Sequence, residues 1–171
     1  MTNPPNKAKP LKALKPEHIC VIKDTREKLP LDLAPMRQVT GTLSTGDYSV
    51  EGLTDRIAIE RKSLQDFIGC VGQHRERFDR EVMRLLAYPV RAIFIEASVS
   101  DIQGQKYRGK VHPNAAMGAA MGWVARGVPV IFAESREQSQ DLMRRMIWIA
   151  CSRYWRDVQL YMNSVLPNQA S

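Results

Sequence analysis

The sequence predicts an α/β domain of three layers, in which a central mixed β-sheet is flanked by helices. Short apolar runs of strand length recur between residues 19 and 133. From residue 63 onward, segments with apolar residues three and four apart alternate with these runs, and such alternation is typical of parallel crossovers. A chain of 171 residues that is 44% hydrophobic is long enough for one domain with its own core.

Four strands are expected in the first part of the chain. Residues 19–23 form a short apolar run that ends in polar residues at Asp24, and a Pro-rich loop follows it. In the fourth strand Ile57 and Ile59 alternate with Ala58 and Glu60, as in a strand with two different faces. We expect these strands to form an antiparallel meander made of residues 19–23, 37–43, 46–50 and 56–62.

The second part of the chain changes to helical spacing. A short helix begins at Ser63, and a second, amphipathic helix over residues 75–87 is closed by Pro89. Two further strands and two further helices then alternate. We expect a strand at 92–96, a helix at 114–126, a strand at 128–133 and a long helix from 136 to about 162.

The two ends of the chain differ from the folded part. Residues 1–17 contain four prolines and four lysines, a composition that buries little surface and predicts a flexible basic arm. Such an arm is either a solvated leader or a segment that contacts phosphate, and both interpretations remain open. The expected organisation is therefore the arm at 1–17, the domain at 18–162 and a flexible tail at 163–171.

The net charge of +7 favours a polyanionic partner such as DNA, although simple solubility or an acidic protein partner also accounts for it. Cys20, Cys70 and Cys151 are odd in number and far apart, which predicts reduced thiols and no zinc site. No apolar run has the length of a membrane span, so we expect no membrane partner. The expected location is intracellular: cytoplasmic and nucleoid-associated in a prokaryote or a phage or plasmid host, or nuclear in a eukaryote.

Three residues form a pattern with catalytic chemistry. Asp47 lies in a Gly-Asp-Tyr turn, and Glu60 and Lys62, two positions apart on one strand, face the same side. Two converging carboxylates can hold Mg²⁺ or Mn²⁺, and a neighbouring lysine can orient water and offset charge on a phosphate. Acid-x-Lys pairs also occur by chance on exposed strands, but the apolar flanks at Ile59 and Phe67 place this one at the edge of buried surface.

These residues resemble a known signature. Gly46-Asp47 followed by residues 60–66, Glu-Arg-Lys-Ser-Leu-Gln-Asp, is similar to the GD…ERKxxxD motif of the XPF-type nucleases. This family is a branch of the restriction-endonuclease-like PD-(D/E)XK superfamily. Residues 24–27, Asp-Thr-Arg-Glu, resemble the D-x-R-E of the family, and residues 111–115 and 127–132 resemble the archaeal Hef nuclease domain. The likeness covers about residues 19–150.

The resemblance implies a restriction-endonuclease-like fold and an endonuclease that depends on Mg²⁺ or Mn²⁺ and cuts branched or flapped DNA in repair or recombination. It places Asp24, Asp47 and Glu60 at the metal and Lys62 at the attacking water. It assigns a supporting role next to them to Arg26, Glu27 and Arg61. A non-cleaving DNA-binding partner subunit and a Holliday-junction-type resolvase are the alternative functions.

Two parts of the motif region have competing interpretations. Asp66 completes the family motif, but Ser63 and Asp66 also form an imperfect capping box, and we favour capping for this pair. The family has an arginine after this helix. Arg75 is our first candidate for that DNA contact and Arg77 the second, with an exposed charged helix face as the alternative for both.

The last helix is apolar over more than one stripe, which favours a homodimer through this C-terminal region over complete burial within one monomer. After residue 150 the sequence has nothing like tandem helix-hairpin-helix motifs. A separate protein that targets the domain to DNA is therefore a further expected partner.

Overall fold

A computed structural model describes residues 13–165 as three layers, helix, sheet and helix, in agreement with the predicted α/β class. A 3₁₀ turn over Pro16–His18 precedes the first strand. The strands are β1 (Cys20–Asp24), β2 (Arg37–Gly41), β3 (Tyr48–Val50), β4 (Ile57–Ser63), β5 (Val90–Glu96) and β6 (Val130–Phe132). The helices are α1 (Leu64–Val71), α2 (Arg75–Leu85), α3 (Val99–Gln103), α4 (Pro113–Ala125) and α5 (Arg136–Val165).

The sheet is mixed, with the strand order β2-β1-β3-β4-β5-β6. β3 is antiparallel to both β1 and β4, whereas β4, β5 and β6 are mutually parallel. The expected antiparallel meander is wrong at β2, which lies parallel to β1 at the edge of the sheet, with Cys20 opposite Arg37, so that β1 and not β2 pairs with β3. The connection over residues 25–36 is long enough to return the chain to the start of β1, which parallel pairing requires.

The two faces of the sheet are covered unequally. α5 packs alone on one face, where Met143 and Ile147 contact the side chains of β1, β3, β4 and β5. The other four helices cover the second face, and their core includes Phe67 of α1 and Trp123 of α4, whose rings meet edge to face. Burying a large apolar side chain contributes roughly 1.5–3 kcal/mol, so both faces stabilise the sheet.

The structure corrects the helix boundaries. α3 was not expected, although Ser98 and Asp101 form a complete capping box at its start. α5 runs to Val165, beyond the expected end near residue 162. The three cysteines are free and buried. Within the part of the chain that the structure describes, no helix has both the length and the apolar character to cross a membrane.

Gly46 lies where the chain enters β3 and comes close to the backbone of β4. Its φ is +78°, a left-handed conformation, and a Cβ atom placed there would lie 2.9 Å from the carbonyl oxygen of Ile59. The next residue, Asp47, donates its N–H to that same carbonyl at 2.8 Å. Glycine is therefore required for this close approach of the two backbones.

We predict that Gly46→Ala lowers the free energy of unfolding by about 1–3 kcal/mol, because it strains the backbone and pushes it away from β4. Gly118→Ala is the matched control, since nothing lies within 4 Å of a Cβ at that position in α4. It should raise stability by roughly 0.5–1 kcal/mol through helix propensity. Urea denaturation of both variants checks this, and equal effects would contradict the role of Gly46.

Candidate active site

Successive residues of β4 serve opposite faces of the sheet. Ile57 and Ile59 point into the core under α5, and Ala58 points into the core under α1, α2 and α4. The alternation continues beyond the apolar part of the strand. It places Glu60 and Lys62 on the side of α1 and α2, and Arg61 on the side of α5.

Glu60 and Lys62 form an ion pair near the carboxyl end of β4. The Lys62 ammonium donates to Glu60 Oε1, and only 8% of the Glu60 side chain is exposed. The same ammonium lies 5.3 Å from the ring centroid of Phe78 in α2. A cation at this distance from an aromatic face is attracted to it, so α2 helps to fix the position of Lys62.

Asp47 approaches the same strand from β3. Its Oδ2 accepts the backbone N–H of Arg61 at 2.8 Å. This hydrogen bond holds the Asp47 carboxylate against the edge of β4. Asp47 and Glu60 are close enough for the charge of one to disfavour ionisation of the other. The structure thus brings together Asp47, Glu60 and Lys62, the three residues of the sequence pattern.

Burial dominates the ionisation of this group. It raises the pKa of Asp47 to about 7, and the Glu60 carboxylate adds to the shift. Burial also raises the pKa of Glu60, against the opposing charge of Lys62. Although burial acts to lower the pKa of Lys62, the Glu60 and Asp47 carboxylates raise it, so the lysine stays protonated near neutral pH.

Arg61 makes the main connection on the α5 face. It donates two hydrogen bonds to the Glu96 carboxylate, at 2.8 and 2.6 Å, and lies 3.4 Å from Glu27. Arg136, the first residue of α5, also lies 3.8 Å from Glu96. A buried arginine with two carboxylates is a stable arrangement only while all partners are present. Arg61 of β4 is therefore linked to β5 through Glu96 and to the loop after β1 through Glu27.

Asp24 is engaged at both of its carboxylate oxygens. Arg26 donates to Oδ1 through Nε at 2.6 Å and to Oδ2 through Nη2, and the Leu43 N–H also donates to Oδ2 at 2.7 Å. The hydrogen bond from Arg26 lowers the pKa of Asp24 to about 2, with a further contribution from Leu43 N–H. In this structure Asp24 holds the loop before β3 in place.

The remaining expected residues lie around α1 and α2. Ser63 caps α1 by accepting the Asp66 N–H at 3.2 Å, and its hydroxyl donates to the Asp66 carboxylate. Arg77 acts electrostatically on Cys70, as do Lys62 and Glu60. Arg75 lines a cavity of about 490 Å³ between α1, α2 and α4.

Two contributors were missed from the sequence. Glu96 is the last residue of β5, which is parallel to β4. It follows an apolar run in the sequence, and the carboxyl ends of parallel strands lie at the same edge of a sheet, so this position could have indicated a site residue. Phe78 lies on the amphipathic helix that the sequence predicted over residues 75–87, but its contact with Lys62 was not expected. Across residues 13–165, no set of three His, Cys, Asp or Glu side chains lies close enough to hold a metal ion. The expected trio Asp24, Asp47 and Glu60 is therefore not assembled as one set here.

Asp47 and Glu60 are the better fit to a divalent cation. Within the described residues, each uses one oxygen in the hydrogen bonds above and keeps a second oxygen available. Their mutual repulsion in a buried position is the situation that a cation between them relieves. Asp24 would first have to exchange its hydrogen bonds to Arg26 and Leu43.

Comparison with known proteins identifies the domain. The family model of the ERCC4 domain matches residues 21–146, which include the first part of α5 and all of the sheet except Cys20. The chain belongs to the ERCC4 domain family. Its α/β fold is the one that the sequence predicted.

Solved structures agree with this assignment. The ERCC4 domain resembles XPF from Aeropyrum pernix, with a TM-score of 0.61 and 19% identity, over 77% of this chain and 61% of that one. It resembles the same protein in complex with DNA with a TM-score of 0.61 and 17% identity, over 79% and 66%. The Methanocaldococcus jannaschii protein MJ1505, named as an ATP-dependent RNA helicase, is 29% identical over 103 residues. That match covers 60% of this chain but only 12% of MJ1505.

The raised pKa of Asp47 predicts how stability varies with pH. Its pKa is 3.8 in the unfolded chain and about 7 in the fold, so the metal-free native state binds the extra proton between these values. The free energy of unfolding should then fall as pH rises from 4 to 8. In Asp47→Asn this fall should be smaller by up to about 4 kcal/mol.

Urea denaturation in the presence of a chelator, at several pH values, checks this expectation. Asp55→Asn is the control, because that carboxylate is 76% exposed and should leave the pH profile unchanged. Wild type and Asp47→Asn with parallel profiles would contradict the proposed burial of a protonated Asp47.

Proposed function

We propose that this chain is a Mg²⁺- or Mn²⁺-dependent endonuclease that hydrolyses phosphodiester bonds in branched DNA, in repair or recombination. The observation that carries the proposal is the buried group of Asp47, Glu60 and Lys62 at the end of β4, within an ERCC4 domain. Two carboxylates and an ammonium at one strand end suit phosphodiester hydrolysis without a covalent intermediate.

Asp47 and Glu60 would hold the metal, which when bound supplies Lewis-acid stabilisation of the phosphate and activates water. Other residues of the chain hold the Asp47 carboxylate in position. Gly46 lets Asp47 reach β4, and the Arg61 N–H orients the Asp47 carboxylate. Arg61 in turn is held by Glu96 and Glu27, so it acts as a positioning residue.

Lys62 would act as a cation. Because Glu60 and Asp47 keep its amine protonated, Lys62 is suited to donate to a phosphate oxygen and to offset negative charge in the transition state. Phe78 and Glu60 limit its movement from two sides. A lysine fixed in this way also contributes to the orientation of the attacking water.

Support for DNA as the substrate comes from charge and from the comparison. The chain has a net charge of +7, and the A. pernix protein of the same fold is described in complex with DNA. Arg75, the first residue of α2, remains the first candidate for a phosphate contact, and Arg77 is the second. A separate targeting protein would add to the selection of branched substrates.

Cleavage of labelled 3′-flap, fork, four-way junction and plain duplex DNA tests the function. With Mg²⁺ or Mn²⁺ we expect preferential cutting of branched DNA, and no cutting with a chelator. Asp47→Asn and Glu60→Gln should each lower the rate at least about 10²-fold, because each removes a charged ligand while keeping the shape of the side chain.

Asp55→Asn, an exposed carboxylate on the turn before β4, should cut at the wild-type rate. Binding without cutting by pure wild-type protein would overturn the nuclease and favour a partner subunit. Preference for the four-way junction over flaps and forks would instead indicate a resolvase.

We propose that the chain forms a homodimer through the end of α5. Its last buried residue is Cys151, so residues 152–165 extend the helix with no buried side chain. This segment exposes large apolar side chains, among them Tyr161 at 65%. Apolar surface of this kind on a helix favours association with a second copy. The exposed apolar residues of this segment are Val158, Leu160, Tyr161 and Val165.

Tyr161→Asp should weaken this dimer by about 2 kcal/mol or more, because it places a charge in an apolar interface. Met83→Asp is the control, since Met83 is similarly exposed on α2 in the opposite layer. Sedimentation velocity over a range of protein concentrations measures both. A wild-type protein that stays monomeric throughout that range would refute the dimer.

A further inference from the structure

The loop between α3 and α4 has no role in the site described so far. We call residues 106–112, Lys-Tyr-Arg-Gly-Lys-Val-His, the basic loop. Although it is exposed, its backbone is restrained. Lys106 pairs with Asp101 at 2.8 Å, and the Tyr107 hydroxyl donates to the Val111 carbonyl at 2.9 Å. The basic loop thus presents its cations from a restrained backbone.

Gln65 provides the third restraint. Its side-chain amide donates to the carbonyl of Arg108 and accepts the N–H of Arg108, both at 3.0 Å. An amide side chain matches a peptide unit with one donor and one acceptor, so this pair fixes both the position and the orientation of Arg108. Gln65 is three residues after Lys62, at the start of α1, so the basic loop is joined to the end of β4.

Arg108 and Lys110 have no carboxylate partner among residues 13–165. Both side chains are exposed, and Lys110 lines the cavity that also contains Arg75. The other cation of the loop, Lys106, is paired with Asp101. Two free cations on a restrained loop next to a site for phosphodiester chemistry are complementary to the backbone of a nucleic acid strand.

We propose that Gln65 is a positioning residue that holds Arg108 for contact with a DNA phosphate flanking the bond to be cut. The inference rests on the proposed function, because it assigns a phosphate contact to the same substrate. Gln65 acts only through the backbone of Arg108, and the guanidinium makes the contact. The effects of the two residues on DNA binding must therefore be coupled rather than independent.

A double-mutant cycle tests this coupling. DNA affinity of the full chain is measured by fluorescence anisotropy at several salt concentrations without Mg²⁺ or Mn²⁺, and KM and kcat are measured with the metal. Arg108→Ala should weaken binding about three- to tenfold and reduce the salt slope by about one, with kcat nearly unchanged. Gln65→Leu should also weaken binding, and adding it to Arg108→Ala should weaken binding no further.

Two further variants make the result specific. Gln65→Asn keeps the amide and should recover part of the affinity lost in Gln65→Leu. Arg37→Ala removes an exposed cation at the start of the edge strand β2, away from the carboxyl end of β4, and should bind like wild type. Additive losses in the double variant, or wild-type binding by Arg108→Ala, would overturn the inference while leaving the nuclease in place. Wild-type protein that binds no DNA would overturn the proposed function and this inference together.

Discussion

The close pairing of Gly46 and Asp47 with β4 is the constraint on which the other parts of the site depend. The Asp47 N–H donates to the Ile59 carbonyl, and the Asp47 carbonyl accepts from the Asp24 N–H, both at 2.8 Å. One residue thereby joins β1 to β4 through backbone hydrogen bonds. Its side chain is then left beside the Arg61 N–H, so the position of the carboxylate follows from strand pairing and not from a flexible loop.

The site is costly to bury, and the structure offsets this cost differently on the two faces of the sheet. On the side of α1 and α2, Glu60 is balanced by Lys62, and burial together with the Glu60 charge raises the pKa of Asp47 to about 7, which favours its neutral form. On the side of α5, Arg61 is balanced by Glu96 and Glu27. Buried charges are tolerated when each has a partner with good geometry, and both helical layers therefore support one strand.

The sequence allowed much of this site to be predicted, because Asp47, Glu60 and Lys62 are close in the chain and lie on one strand and its neighbour. The order of the main elements also followed from apolar periodicity. Periodicity does not reveal which strands are neighbours, so the parallel pairing of β2 with β1 was missed. Arg61 and Glu96 are 35 positions apart, and their contact depends on the β4–β5 register. α3, with five residues, is too short to show a helical period.

The alternation along β4 has a consequence for how this chain can vary. Glu60 and Lys62 point to one face of the sheet and Arg61 to the other. Which face each side chain reaches therefore depends on the number of residues between Ile57 and Glu60. Inserting or deleting one residue in the apolar half of the strand would turn the acid and the lysine toward α5 and the arginine toward α2. Many core substitutions can be absorbed by repacking, but a change of length at this position cannot. A change of length is therefore better tolerated in a loop, such as the one that precedes β2, than in β4.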